Sequence, residues 1–247
     1  VVNGETVYDV GPEAFAAVMA KMADLGIHAM GGCCGTTPEY IKELKKVIGR
    51  RQRQAAVDYF MPPVEKDRTW VASYAQAVEI GPKPVIIGER INPTGKKRFK
   101  EALKSHDLDY ILSQGLQQED AGADILDVNV GLPEIDETAM MQELVPLLQS
   151  VTALPLQLDT ADPRAMEAGM RLYNGKPMIN SVNGRDDVMD AVFPLVRKYG
   201  GVVVGLLLDE TGIPETAEGR FAIAMKICDR AAKYGIPAHD IVIDCLT

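Results

Sequence analysis

From Val85 onward, short apolar runs recur at regular intervals: VIIG (85–88), DILDVNVG (124–131), LPLQLD (154–159), PMIN (177–180), GVVVGLLLD (201–209) and DIVIDC (240–245). Between them, residues 99–121, 136–150, 162–173, 185–199 and 216–234 carry helical periodicity. Runs rich in β-branched residues are strands buried on both faces, and such strands alternating with helices form parallel βα units. Six units suit either a doubly wound sheet or most of an eight-stranded barrel. No strand leads into a glycine-rich phosphate fingerprint, and polar residues gather at the C-terminal strand ends. Both features favour the α/β class, of (β/α)8 TIM-barrel type. The barrel is incomplete after its sixth strand, so two further units are expected beyond Thr247.

The first fifty residues have another character. Phe15, Val18, Met19, Met22 and Leu25 share a helical stripe across 12–25, with Gly26 at its expected stop. Ile27–Met30 is a short strand candidate, and Thr37, Pro38 and Glu39 open a second helix that runs to about Ile48. One strand and two helices cannot enclose a core, so residues 1–49 are expected to be the last βα unit of a second barrel. The stretch 50–82 opens on a basic RRQR cluster, carries paired prolines in MPPVEKD and ends in GPKP, the composition of an inter-domain connector. Within it, Trp70 to Ile80 fits a strand or a short helix equally. The first barrel is then expected over 83–247.

Charge narrows the partners. With 26 Lys+Arg against 35 Asp+Glu, the net charge of −9 repels phosphate, which argues against nucleic acid and anionic membrane surfaces. No apolar run approaches the roughly 20 residues of a membrane span. Four cysteines, two of them adjacent, do not make a disulfide framework at this length; a reducing, cytoplasmic setting is expected.

The strand ends carry the chemistry: Glu89, Arg90 and Asn92 after the first, Asp127 and Asn129 at the second, Asp159 at the third, Asn180 at the fourth and Asp244 at the sixth. Carboxylates and amides without a nucleophilic His or Lys describe a site that reads hydrogen bonds, because Asp accepts only while Asn does both. A flat aminopyrimidinone ring offers the matching donors and acceptors. Any single Asp or Asn here could equally cap the following helix; five strand ends together argue for a ligand. Elsewhere, the adjacent Cys33 and Cys34 in GGCCG read either as two small buried apolar residues or as soft zinc ligands. Cys228, Cys245 and the three histidines share no ligand spacing, and the basic stretch from Arg90 to Lys104 reads as a solvated face or as a contact for an acidic ligand tail.

IGERINPTG (87–95), LDVNVG (126–131), LQLDT (156–160), MINSVNG (178–184) and VIDCL (242–246) together resemble the pterin-binding domain family, which includes methyltetrahydrofolate methyltransferases and, more distantly, dihydropteroate synthases. The resemblance covers residues 84–247. It implies that Asp159, Asn180 and Asp244 hold the pterin ring as the catalytic set, with Glu89, Asn92, Asp127 and Asn129 lining the same cavity. GGCCGTTPEY (31–40) is similar to the closing motif of homocysteine methyltransferase barrels, which implies that Cys33 and Cys34 are two zinc ligands whose third lies before Val1. The order of the two pieces resembles the N-terminal half of cobalamin-dependent methionine synthases. It implies methyl transfer from 5-methyltetrahydrofolate to cob(I)alamin, carried by a corrinoid domain or protein, and then to homocysteine. A corrinoid-dependent methyltransferase with another acceptor and a catalytically incomplete scaffold segment are the alternatives.

Overall fold

The computed structural model describes residues 8–25, 27, 29–48 and 68–246, which divide into two compact units at Val64/Glu65. Gly26, His28 and the RRQR cluster, with the connector as far as residue 67, lie outside the described residues.

In the first unit, α1 (Pro12–Asp24) and α2 (Pro38–Ile48) both begin on a proline whose missing N–H costs the first turn nothing. Ala16 and Ala20 of α1 and Leu44 of α2 are buried, and Phe15 meets Tyr40 edge-to-face at 5.6 Å. Met19 of the expected stripe is half-buried, whereas Val18, Met22 and Leu25 are exposed, because two helices bury a single seam between them. The strand expected at 27–30 does not form among the described residues, where no second strand supplies a ladder.

The second unit holds six parallel strands: β3 (Ile87–Ile91), β4 (Ile125–Val128), β5 (Leu156–Asp159), β6 (Met178–Asn183), β7 (Val202–Leu206) and β8 (Ile241–Asp244). They lie side by side in chain order, β3-β4-β5-β6-β7-β8. A doubly wound sheet reverses its order at a switch point, whereas sequential order is that of a (β/α)8 barrel. Helices α3 (Lys97–Lys104), α4 (Leu108–Asp120), α5 (Glu137–Val151), α6 (Pro163–Leu172), α7 (Asp186–Tyr199) and α8 (Ala217–Lys233) connect them. The continuous helix expected over 99–121 is instead two. His106 takes a positive φ of 57° and the Asp107 carboxylate caps α4 through the Tyr110 N–H, so Ser105–Asp107 turns the chain.

Alternate residues of each strand serve two different cores. Leu126, Val128, Leu156, Leu158, Ile179 and Val203 pack outward against the helices. Ile125, Met178, Val202 and Val204 face the other way and form a second cluster with Val71. Val71 belongs to a feature the sequence left undecided: Trp70–Ile80 is neither a lone strand nor a helix but most of an antiparallel hairpin, β1 (Thr69–Ala72) and β2 (Ala77–Ile80). Its turn is tied by Ser73, whose hydroxyl accepts from the Ala75 and Gln76 N–H groups and donates to the Ala153 carbonyl at 2.6 Å. The second part of the expected connector is therefore folded onto the strands, flooring their N-terminal half with apolar side chains.

Tyr173 fastens that floor. Its hydroxyl donates to the Ala72 carbonyl at 2.9 Å and accepts from the Leu156 N–H at 3.1 Å, and burial pushes its pKa up to about 12. Beside it, Ala72 and Lys176 exchange backbone bonds of 2.9 Å. Gly175 makes this approach possible, since a Cβ there would lie 2.2 Å from the Ala72 carbonyl oxygen. Replacing Tyr173 by Phe strands the Leu156 N–H, while the Ala72 carbonyl keeps its bond from Lys176, and should cost ~1–3 kcal/mol in urea unfolding; an unchanged midpoint would show that the hairpin is held otherwise. Gly175→Ala should destabilise by about 1–3 kcal/mol through the clash, and a neutral result would mean that the hairpin shifts freely.

Candidate functional site

The polar strand-end residues stand on the same face as the apolar floor, two residues further along each strand. In β4 Asp127 follows Ile125, in β6 Asn180 follows Met178, and in β8 Asp244 follows Val242. The parallel register steps these ends along the sheet: Asp127 pairs with Gln157, Asp159 pairs with Asn180 one pleat further on, and Asp244 pairs with Leu206, which is level with Asn183. Two breaks in register adjust the arrangement. In β3 the shift between Gly88 and Ile91 turns Ile91 into the helix-side core and brings Asn92 to Glu89, whose Oε1 accepts from Asn92 Nδ2 at 3.2 Å. The second shift, between Asn180 and Val182, lets Val182 pack outward while Asn180 keeps the mouth side. Such bulges re-aim side chains next to sites.

Hydrogen bonds fix most of these groups. Asn129 Nδ2 donates to Asp159 Oδ2 at 2.9 Å, and Asn129 Oδ1 accepts from the Gly131 N–H at 2.9 Å, so this amide has a single orientation and aims the Asp159 carboxylate. Asn92 Oδ1 likewise accepts from the Thr94 N–H at 2.9 Å. Asn180 is half-buried, and its carbonyl accepts from the Thr160 N–H at 3.0 Å. Glu89, Asn92, Asp127, Asn129, Asp159 and Asn180 are thus gathered on the neighbouring ends of β3 to β6. Asp244 stands at the same end across β7, exposed, with its Oδ1 accepting from the Leu246 N–H at 2.8 Å.

Several participants were not legible as site residues. Gln157, 6% exposed, donates from Nε2 to Asp127 Oδ1 at 2.5 Å. Strand alternation was the available signal, since Gln157 lies two residues before Asp159 and shares its face. The Thr160 hydroxyl donates to Glu137 of α5. Gln118 of α4 holds the β3 bulge by accepting from the Arg90 N–H at 2.7 Å while donating to the Gln114 carbonyl at 3.0 Å; nothing in the sequence marks it.

Electrostatically the mouth is acidic. Burial raises the Asp159 carboxyl above the usual range, the Asn129 bond pulls it back, and the Glu89 and Glu137 charges add to the rise. Of the basic stretch after β3, Arg98 pairs with Asp107 at 2.5 Å and lies over the Tyr110 ring, and Lys104 pairs with Glu134 at 3.0 Å. The mouth therefore offers oriented acceptors and amides above an apolar floor, which suits a flat heterocycle rich in N–H donors.

In the other unit, Cys33 and Cys34 are exposed free thiols with their sulfurs 3.6 Å apart. Hydrogen bonds from the Cys34 N–H, and then from its thiol, hold the Cys33 thiol below its ordinary pKa. Thiolates at about 2.3 Å from one zinc ion at tetrahedral angles stand about 3.8 Å apart, so this pair fits two corners of such a site. Among the described residues no group of three or more His, Cys, Asp or Glu side chains is placed to hold a metal, and no helix is long and apolar enough to cross a membrane.

Comparison with known proteins agrees with both units. Residues 88–247 match the family model for pterin binding enzymes, and residues 1–48 match that for homocysteine S-methyltransferase. The chain is 33% identical to a methionine synthase of Mycobacterium leprae and 32% identical to one of Mycobacterium tuberculosis, in each case across 97% of this chain but 20% of the relative. It thus spans about one fifth of the length of these relatives. Among solved structures, the dihydropteroate synthase of Vibrio fischeri superposes with a TM-score of 0.53 at 14% identity over 71% of this chain and 66% of that one. That of Xanthomonas albilineans gives 0.54 at 21% identity over 72% and 66%. These likenesses establish the fold, and the match that runs through every strand of the sheet from Gly88 onward establishes that the chain belongs to the pterin-binding enzyme family.

Proposed function

We propose that residues 83–247 bind 5-methyltetrahydrofolate as the methyl donor of a methyltransferase, and that residues 1–49 are the end of a homocysteine-binding barrel in the same enzyme. The observation that carries this reading is the pairing of Asp159 with Asn180 just beyond the apolar floor, with Asp159 aimed by Asn129 and Asp244 one pleat further along on β8. The carboxylates of Asp159 and Asp244 accept from the amino and ring N–H groups of a pterin, while the Asn180 amide pairs with a ring carbonyl or nitrogen. Ring stacking on the apolar side and hydrogen bonds at its edge would fix the N5 methyl group toward the open side of the mouth. A tertiary amine leaves poorly, so N5 must gain a proton or strong hydrogen bond before the methyl group departs. Orientation for in-line attack can then supply much of the rate. The acceptor is cob(I)alamin on a corrinoid-carrying domain, and homocysteine receives the methyl group next.

Cys33 and Cys34 would hold two of four positions around zinc. When bound, zinc lowers the pKa of a coordinated thiol and so presents homocysteine as a thiolate. The likeness of residues 1–48 to homocysteine S-methyltransferase supports homocysteine over another final acceptor.

Calorimetric titration of 5-methyltetrahydrofolate into the chain should give saturable binding. Asp159→Ala should weaken it at least about tenfold, as expected for a lost charge-assisted bond of about 1.5–3 kcal/mol. Binding unaffected by the substitution would refute the placement of the ring. In the intact enzyme, Cys33→Ser together with Cys34→Ser should abolish bound zinc without altering folate affinity; retained zinc would contradict the assignment of these ligands.

A further inference from the structure

Asp127 is the only carboxylate among the described residues that is buried, at 1% exposed. One oxygen, Oδ1, accepts from Gln157 Nε2, whereas Oδ2 is buried with no hydrogen-bond partner. The charged groups that act on it are Asp159 from β5 and Glu89 from β3, both anionic; the uncharged Gln157 and Asn92 amides complete its surroundings. An ionised carboxylate with a bare buried oxygen between two like charges is costly. A proton on Oδ2 removes the charge and leaves the Gln157 bond intact, because Oδ1 remains an acceptor.

We propose that Asp127 holds a proton on its buried Oδ2 and acts as a positioning residue, clamped by Gln157 beneath the mouth. Its neutrality allows Asp159 and Glu89, rather than Asp127, to carry the negative charge presented to a ligand. Burial is the leading cause that pushes its carboxyl up to about 7, with the Gln157 and Asn92 amides opposing and the Asp159 and Glu89 charges adding to the rise. A ring seated over the mouth excludes further water and strengthens the preference for the neutral form, so binding above that pH takes up a proton. This last consequence rests on the pterin reading; the proton itself does not.

Carboxyl 13C NMR of the chain labelled at aspartate tests the proton without any ligand. One resonance should titrate with a midpoint near 7, vanish in Asp127→Asn and move to higher pH in Gln157→Met, which loses the bond that favours the charged form. Aspartates that all titrate within the ordinary carboxylate range would overturn the proposal. The same proton should appear in stability: a raised folded value means a contribution present at acid pH that is lost as pH rises through about 7, and Asp127→Asn should flatten this dependence. With 5-methyltetrahydrofolate, affinity of the parent chain should fall by up to tenfold per pH unit above about 7. Asp127→Asn should lose that slope. An unchanged slope in the variant would overturn the coupling, whereas absence of folate binding at every pH would refute the pterin reading and leave the resonance to decide the proton.

Discussion

A parallel strand covered by helices on one side must still satisfy its other side, and everything else in the second unit follows from how that other side is divided. Along its N-terminal half it is apolar and meets the β1–β2 hairpin through Val71. Along its C-terminal half it is polar, and the groups there bond one another: Asn92 to Glu89, Asn129 to Asp159, Gln157 to Asp127. Because a strand repeats every two residues, the same alternation that buries Ile125 and Met178 places Asp127 and Asn180 directly beyond them. Floor and mouth are one pattern read in sequence.

That pattern concentrates negative charge. Burial first, and then the charges of Asp159 and Glu89 on Asp127 and of Glu89 and Glu137 on Asp159, raise the carboxyls of these two aspartates. Stability alone would place apolar residues at these positions. A ligand that brings its own N–H donors changes the balance, since it supplies further partners for these acceptors. The hydrogen bonds of Asn129 and Asn92 to nearby backbone N–H groups also hold the acceptors in place before a ligand arrives, which lowers the entropy lost on binding.

Much of this was legible in the sequence, and the limits have physical causes. The six strands and the outer helices follow from long buried runs between periodic segments. The strand-end aspartates and asparagines stood out because polar residues closing apolar runs are uncommon without a reason. Trp70–Ile80 was ambiguous because four-residue strands are too short to show a period, and its turn depends on a contact from Ser73 to the distant Ala153. The break at Ser105–Asp107 was hidden inside an otherwise helical pattern. Gln118 and Gln157 are identified by what they touch, which no local pattern encodes. In the first unit, the strand expected at Ile27–Met30 needed a neighbouring strand that the described residues do not provide.

The central claim is that a pterin ring lies across the ends of β5, β6 and β8. A crystal structure of the chain with 6-methylpterin decides it most directly. The account predicts a ring above the apolar floor with its edge within hydrogen-bond distance of Asp159, Asn180 and Asp244. A ring seated elsewhere, or one that leaves Asp159 and Asn180 without contact, would contradict it.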